Sequence, residues 1–287
     1  MNTVEHKIAL ITAPKSKTGR RVVELLQRSE YLVRIASRST RIKFDWEDEN
    51  TWQQAITGVD SAYIIIPPNL ALSNMSAKLS RFIELCEKNS MRRIVLLTGR
   101  GEAESRKCET VVLKSDIPAT IVRTSWFSQN FSEGVFLDSI LNGEIVVPVN
   151  GVKEPFIDAS DIAEVVYHSL LDESPDNHIY EITGPELLSF KKIAEIFSNN
   201  LKVDVTATHI PLDTYLSELA KFGIAEEEIK LTRYLFEELL DGRNEYLTSD
   251  LERVLGREPT SFQQYIESTR RSGAWELLSI EETNNGY

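Results

Sequence analysis

Along the first 130 residues, short apolar runs alternate with segments whose apolar residues recur at helical spacing. Lys7–Thr12 is an apolar run that reads as a buried strand. Thr18-Gly19 then opens a helical stripe of Val22, Val23, Leu25 and Leu26. Leu32–Ala36 predicts a second strand, and Asp45–Ile56 holds a short helix. Ala62–Ile66 predicts a third strand, stopped by Pro67-Pro68. Met75–Cys86 is amphipathic, Arg93–Thr98 reads as a strand, Glu104–Leu113 as a helix and Ala119–Arg123 as a strand. Strand–helix alternation at this spacing predicts an α/β domain with a parallel sheet and right-handed crossovers. No Asn-Gly or Asp-Gly links adjacent strands here, which disfavours hairpins.

After Asn130 the rhythm changes. Asn142-Gly143 and Asn150-Gly151 mark turns around Ile145–Val149. Asp158-Ala-Ser-Asp161 supplies capping candidates for a helix Ile162–Leu171. Ile179–Thr183 is strand-like, and Ser189 is placed to cap Phe190–Ser198. From Leu212 the chain is mostly helical and acidic. The expected organisation is a nucleotide-binding core over residues 1–131 and a smaller, mostly helical substrate-side lobe over 132–280, interleaved with the core. Residues 281–287 read as a disordered tail. No internal repeat is visible.

Composition narrows the function classes. With 287 residues and 41% hydrophobic positions the chain can build a sizeable core. It has no apolar run near membrane length, and no signal-like stretch precedes Lys7, so a cytoplasmic protein is expected. Cys86 and Cys108 lack metal spacing and read as reduced, buried thiols. The four His do not cluster with Cys or Asp, so no metal is expected. A net charge of −12 argues against direct nucleic-acid binding. The segment Lys15–Lys43 is nevertheless basic, which suggests a small anionic ligand near the N-terminal unit.

The loop after the first strand carries the chemistry. In dinucleotide-binding, Rossmann-type doubly wound sheets, a glycine-rich turn there leads into a helix whose N-terminus holds the pyrophosphate. Here the turn is Thr12-Ala13-Pro14-Lys15-Ser16-Lys17-Thr18-Gly19, and only Gly19 remains of the glycines. Ala13 and Ser16 stand where short-chain dehydrogenase patterns place the others, and a Cβ at Ser16 would crowd the phosphate. Pro14 removes a backbone donor, while Lys15 and Lys17 add charge. Ser37-Arg38 ends the second strand, about 20 residues on, where NAD sites usually carry an acid. Arg38, with Ser37 and Arg41, favours the 2′-phosphate of NADP.

These residues, together with Phe44-Asp-Trp-Glu47, Leu96-Leu-Thr-Gly-Arg-Gly101, Thr120-Ile-Val-Arg-Thr-Ser-Trp-Phe127, Glu154-Pro-Phe-Ile-Asp158, Tyr180-Glu-Ile-Thr-Gly-Pro185 and Leu255-Gly-Arg-Glu-Pro259, resemble the NmrA-like branch of atypical short-chain dehydrogenases. Within it the chain looks similar to bacterial NAD(P)-binding proteins of the ergot-alkaloid-reductase-like group. The resemblance covers about Lys7 to Trp275. It implies nucleotide contacts at Thr12–Gly19, at Ser37 and Arg38, at Asp45 near the adenine, at Ile65, Ile66 and Pro67, and at Thr98 and Gly99 on the nicotinamide side. Ile65 and Ile66 read equally as core, and Asp45 as the cap of a helix starting near Trp46. The Tyr-x-x-x-Lys pair of ordinary short-chain dehydrogenases, whose Tyr donates a proton, is missing: the helix reads Glu104-Ser-Arg-Lys-Cys-Glu109.

Candidate catalytic or orienting groups are Arg100, Lys107, Gln129 and Asn130. Pro68, Asn69, Trp126 and Phe127 are expected to line a substrate pocket, with Trp126 and Phe127 alternatively serving as packing. Neither a Ser-His-Asp triad nor a Gly-x-Ser-x-Gly elbow is present, and His168 reads as packed within a helix. Three functions compete. The first is an NADP-dependent oxidoreductase acting on a small cyclic carbonyl, quinone or imine. The second is a non-redox cyclase, lyase or isomerase whose cofactor loop is weakened or lost. The third is a nucleotide-sensing regulatory protein. The expected partner is a small molecule, not a membrane, and the expected assembly is a monomer or homodimer.

Overall fold

The computed structural model describes residues 7–67 and 75–275. The strands among them are β1 (Ile8–Ile11), β2 (Leu32–Ile35), β3 (Ser61–Ile65), β4 (Arg93–Gly99), β5 (Ala119–Thr124), β6 (Glu144–Val147), β7 (Lys153–Glu154), β8 (His178–Ile182), β9 (Leu188–Ser189) and β10 (Thr206–His209). The helices are α1 (Lys17–Leu26), α2 (Trp52–Ile56), α3 (Met75–Lys88), α4 (Ala103–Leu113), α5 (Leu137–Leu141), α6 (Ala159–Leu171), α7 (Phe190–Leu201), α8 (Leu212–Lys221), α9 (Glu226–Tyr234), α10 (Asp250–Leu255) and α11 (Phe262–Arg270). The chain divides into two compact units. Among the described residues, one comprises 7–67, 75–124, 159–182 and 250–257; the other comprises 125–158, 183–249 and 258–275.

The first unit is a Rossmann-type parallel sheet in the order β2-β1-β3-β4-β5-β8. Beyond β2, Ile42 makes one parallel bridge to Ala36. That bridge stands where a third strand would complete the usual doubly wound order. The intervening run Ser37-Arg-Ser-Thr-Arg41 is polar and cannot continue a buried strand. Alternate strand residues serve the two helical layers. Leu10, Ile64, Leu96 and Ile121 pack with Trp52, Phe82, Cys86 and Val112 of α2, α3 and α4. Their neighbours Ile11, Tyr63, Val95 and Val122, also fully buried, face the layer of α1 and α6.

Several boundaries differ from the sequence reading. The helix expected within Asp45–Ile56 starts as a 3-10 turn at Glu49–Thr51, and Asp48 caps it rather than Asp45: Asn50 N donates to Asp48 Oδ1 at 3.1 Å. Helix α6 begins at Ala159, earlier than Ile162, so Asp161 lies inside its first turn, where Arg257 Nη2 donates to its Oδ1 at 2.8 Å. The two cysteines are free and buried, as expected, and burial raises the Cys108 thiol to about 12.

The second unit is organised around Phe131. The rings of Phe136, Phe156, Phe190, Phe197 and Phe262 lie 4.9–6.3 Å from it, mostly in the edge-on or tilted geometry that aromatic quadrupoles favour. Trp275 Nε1 donates to Phe131 O at 2.9 Å, and Tyr265 donates to Ser132 Oγ at 2.7 Å, so the polar tips of this core are satisfied. β6 pairs with β10 in parallel and β7 with β9 antiparallel. Ser189 caps α7 as its sequence position predicts, accepting from Lys192 N at 3.2 Å. No described helix is long and apolar enough to cross a membrane.

Candidate functional site

All six strands of the first unit run parallel, so the loops after β1 to β4 gather at one edge, where ligands of open α/β sheets bind. The loop after β1 is fastened to β3. Thr12 N donates to Tyr63 O at 3.2 Å, and Ile65 N donates to Thr12 Oγ1 at 3.1 Å. Below it Tyr63 donates its buried hydroxyl to Thr18 Oγ1 at 2.9 Å, and burial pushes the phenol well above its ordinary pKa. It is a fixed donor, not a titrating group.

Ser16 explains one of the missing glycines. Its Oγ accepts from Gly19 N at 2.9 Å and so caps α1. Its own N and Oγ both donate to Ala13 O, at 3.1 and 2.9 Å. The chain folds so tightly that a Cβ on Gly19 would sit 2.1 Å from Ala13 O, so only glycine is tolerated there. A short, closed turn thus remains at the positive end of a ten-residue helix, with Lys15 exposed beside it.

After β2, Ser37 N donates to Thr40 Oγ1 at 2.7 Å, and Lys43 Nζ donates to Arg38 O at 2.9 Å. Arg38, Arg41 and Lys43 are exposed. Among the described residues, no carboxylate pairs with Arg38. Asp45 is occupied locally: its Oδ1 accepts from Glu47 N at 3.0 Å, and its carbonyl accepts from Trp52 Nε1 at 2.8 Å. After β3, Ile65 is 9% exposed, Ile66 packs against the core and Pro67 is half-buried. Pro68 and Asn69 lie outside the described residues.

The end of β4 is the most charged part of this edge. Buried Thr98 donates to Glu109 Oε1 at 2.9 Å, and Arg123 grips the same carboxylate. Arg123 Nη1 also lies 3.8 Å from Glu181 Oε2, whose other oxygen accepts from buried Arg100 at 3.0 Å. Acid and base therefore alternate across β4, β5 and β8. Glu102 follows as a half-buried carboxyl on the turn into α4. Its Oε1 lies 2.0 Å from the point that a Cβ on Gly99 would occupy, and Ser105 donates to its Oε2 at 2.7 Å. Burial raises its pKa above the carboxylate range, against the Ser105 bond and with help from Glu109. Lys107 is exposed and pairs with Glu104 at 2.9 Å.

Gln129, Asn130, Trp126 and Phe127 belong to the second unit. There Gln129 Nε2 donates to Asp158 Oδ1 at 3.0 Å, and Asn130 O accepts from Phe136 N at 3.0 Å. Trp126 stacks on Phe136 at 6.4 Å and tilts against Phe236 at 6.0 Å, while Phe127 bridges to Ile157. Glu102, Tyr63, Arg123 and Glu181 are site-edge residues that the sequence reading did not single out. Only Glu102 left a readable signal: an acid three residues past a strand-ending glycine.

An open depression of about 550 Å³ lies at the opposite edge of the same sheet, lined by His168, Asp172, His178, Tyr180 and Arg253. There His178 Nε2 lies 3.3 Å from Asp172 Oδ2, at the start of β8 and not at the strand ends that carry the loops above.

Comparison with known proteins agrees with the fold. The model of the NmrA-like family matches residues 100–276. Prestalk A differentiation protein A of Dictyostelium discoideum is 29% identical over 91% of each chain. Festuclavine synthase II of Penicillium roqueforti is 25% identical over 90% of this chain and 96% of its own. Among solved structures, the Citrobacter sp. triphenylmethane reductase complexed with NADP(H) superposes with a TM-score of 0.77 at 16% identity, covering 91% of this chain and 99% of that one.

Proposed function

This chain belongs to the NmrA-like family, and from that premise we propose that it is an NADP-dependent oxidoreductase acting on a small cyclic carbonyl, quinone or imine. The observation that carries this reading is the exposed Arg38 at the end of β2, in the place where NAD sites keep an acid. The triphenylmethane reductase relative, crystallised with NADP(H), supports the same cofactor.

What fits a pyrophosphate here is the N-terminus of the ten-residue α1 with exposed Lys15 beside it, while the space at Gly19 is filled by the turn itself, by Ala13 O and Ser16 Oγ. The turn from Thr12 to Gly19 would hold the pyrophosphate, with Lys15 and Lys17 adding charge. Ser37 and Arg38 would hold the 2′-phosphate. Ile65, Ile66 and Pro67 would flank the cofactor, and Thr98 and Gly99 would face the nicotinamide. A bound reduced nicotinamide supplies the hydride. The chain's own contribution is to fix geometry: Thr12 locks the loop to β3, and Glu109 locks Thr98.

The test is NADPH consumption with a panel of quinones, cyclic ketones and cyclic imines. Turnover that needs more NADPH after Arg38→Ala supports the reading. NADPH binding with no turnover on any of the panel favours a nucleotide sensor, and no binding favours a non-redox enzyme.

A further inference from the structure

We propose that Glu102 is the catalytic proton donor of this site, filling the role left open by the missing Tyr-x-x-x-Lys pair. The proposal rests on the oxidoreductase reading above and narrows its substrate class. Three observations place the group. Glu102 stands on the turn between β4 and α4, at the strand edge where the resemblance puts the nicotinamide. Its carboxyl lies in the space that glycine at 99 leaves open, since a Cβ there would meet Oε1 at 2.0 Å and Cδ at 2.6 Å. Ser105 donates to Oε2 and fixes the carboxyl plane without supplying a positive charge.

The charged surroundings favour the acid form. Glu109 on α4 is the acid that acts on Glu102, and Arg123 and Thr98 already hold that carboxylate. Arg100 pairs with Glu181, and Lys107 with Glu104. None of the described cations forms a salt bridge with Glu102. A half-buried carboxyl beside another acid, with only a hydroxyl for partner, keeps its proton above the usual range.

A donor is needed where the acceptor's oxygen, or the nitrogen of a neutral imine, ends up protonated. In the step, the carbonyl carbon, or a conjugated ring carbon of a quinone, gains the hydride from the breaking C–H bond of a reduced nicotinamide. The C=O π pair moves onto oxygen, which takes the proton from the Glu102 carboxyl, and the quinone adduct tautomerises to the hydroquinone. The products are a hydroxyl compound, oxidised nicotinamide and a carboxylate that regains its proton from water. An iminium acceptor takes a hydride alone and gains nothing from the donor, so the donor favours acceptors that need a proton, carbonyls and quinones among them.

The experiment compares the full chain with Glu102→Gln, which preserves shape and the Ser105 bond. Infrared titration of the nucleotide-free protein reads the carboxyl directly. The wild type should show an acid carbonyl band persisting above the ordinary carboxylate range, and Gln should abolish it. NADPH affinity, measured by calorimetry, should stay within about twofold. With a para-quinone, kcat should fall by about 100-fold or more, and the alkaline fall in the wild-type kcat profile should vanish. A variant whose quinone kcat stays within a few-fold of wild type overturns the proposal, as does an acid band unmoved by the substitution. So does a wild type that binds NADPH and reduces an iminium salt but no quinone. A wild type that binds no NADPH overturns the function reading itself, and the donor role with it.

Discussion

Arg123 grips both oxygens of the Glu109 carboxylate, Nε at 2.8 Å from Oε1 and Nη2 at 2.6 Å from Oε2. The carboxylate is 2% exposed and also takes the Thr98 hydroxyl. Such a buried fork is weak evidence of net stabilisation, because both ions lost their water. Breaking it is costly, since the surviving charge stays buried and loses its main partner. Arg123→Ala should therefore lose about 3–5 kcal/mol in urea unfolding. The double variant Arg123→Ala/Glu109→Ala should regain part of that loss. A single variant within 1 kcal/mol of wild type would show that the pair is well hydrated.

The loop after β1 yields a prediction in the opposite direction. Ala13→Gly/Ser16→Gly restores the two missing glycines and removes the Ser16 cap on Gly19 N. NADPH affinity should rise, while exchanging a Ser cap for Gly should cost only a few tenths of a kcal/mol. Unchanged affinity in a folded double variant would mean that Ala13 and Ser16 do not weaken the site.

Glu102 links pH to stability. Its folded-state pKa is raised above the ordinary 4.5 by burial. The folded chain therefore holds this proton more tightly than the unfolded chain. The resulting stability is fully present below the unfolded pKa and is lost as pH rises through the folded pKa. Glu102→Gln stays neutral and escapes this loss. Thermal unfolding should show the variant gaining on wild type from pH 4 to pH 8, by about 1.4 kcal/mol for each tenfold difference in proton affinity. A constant offset at every pH would show that the carboxyl titrates normally.

Local pattern made the core of the fold legible. The apolar runs at Lys7, Leu32, Ala62, Arg93 and Ala119 became β1 to β5, and Ser189 caps its helix where expected. What local pattern could not carry was pairing across long sequence gaps. Arg257 meets Asp161 and Arg100 meets Glu181, so segments near 160–182 and 250–257 return to the first unit. The third-strand position shrank to Ile42 because the polar run before it has nothing to bury. At the candidate site, the close packing at Gly19 was readable because only a residue without a Cβ fits beside Ala13 O, and the exposure of Arg38 follows from the polar run after β2. Arg100 was readable as a basic residue that could form a salt bridge and Lys107 as a basic residue, but their partners Glu181 and Glu104 were not. The Arg100–Glu181 pair depends on which strands become neighbours, whereas Lys107–Glu104 is an i,i+3 pair within α4.

The central claim is that the first unit binds NADP through Arg38, and nucleotide titration tests it most directly. Purified protein is titrated with NADPH, NADP and NADH by calorimetry, in parallel with Arg38→Ala. Loss of a charge-assisted contact to phosphate is worth about 1.5–3 kcal/mol. The expected result is micromolar NADPH binding that weakens by about 10- to 100-fold in the variant, with NADH weak in both. No binding at millimolar nucleotide, or equal binding of NADPH and NADH unaffected by the variant, would contradict it.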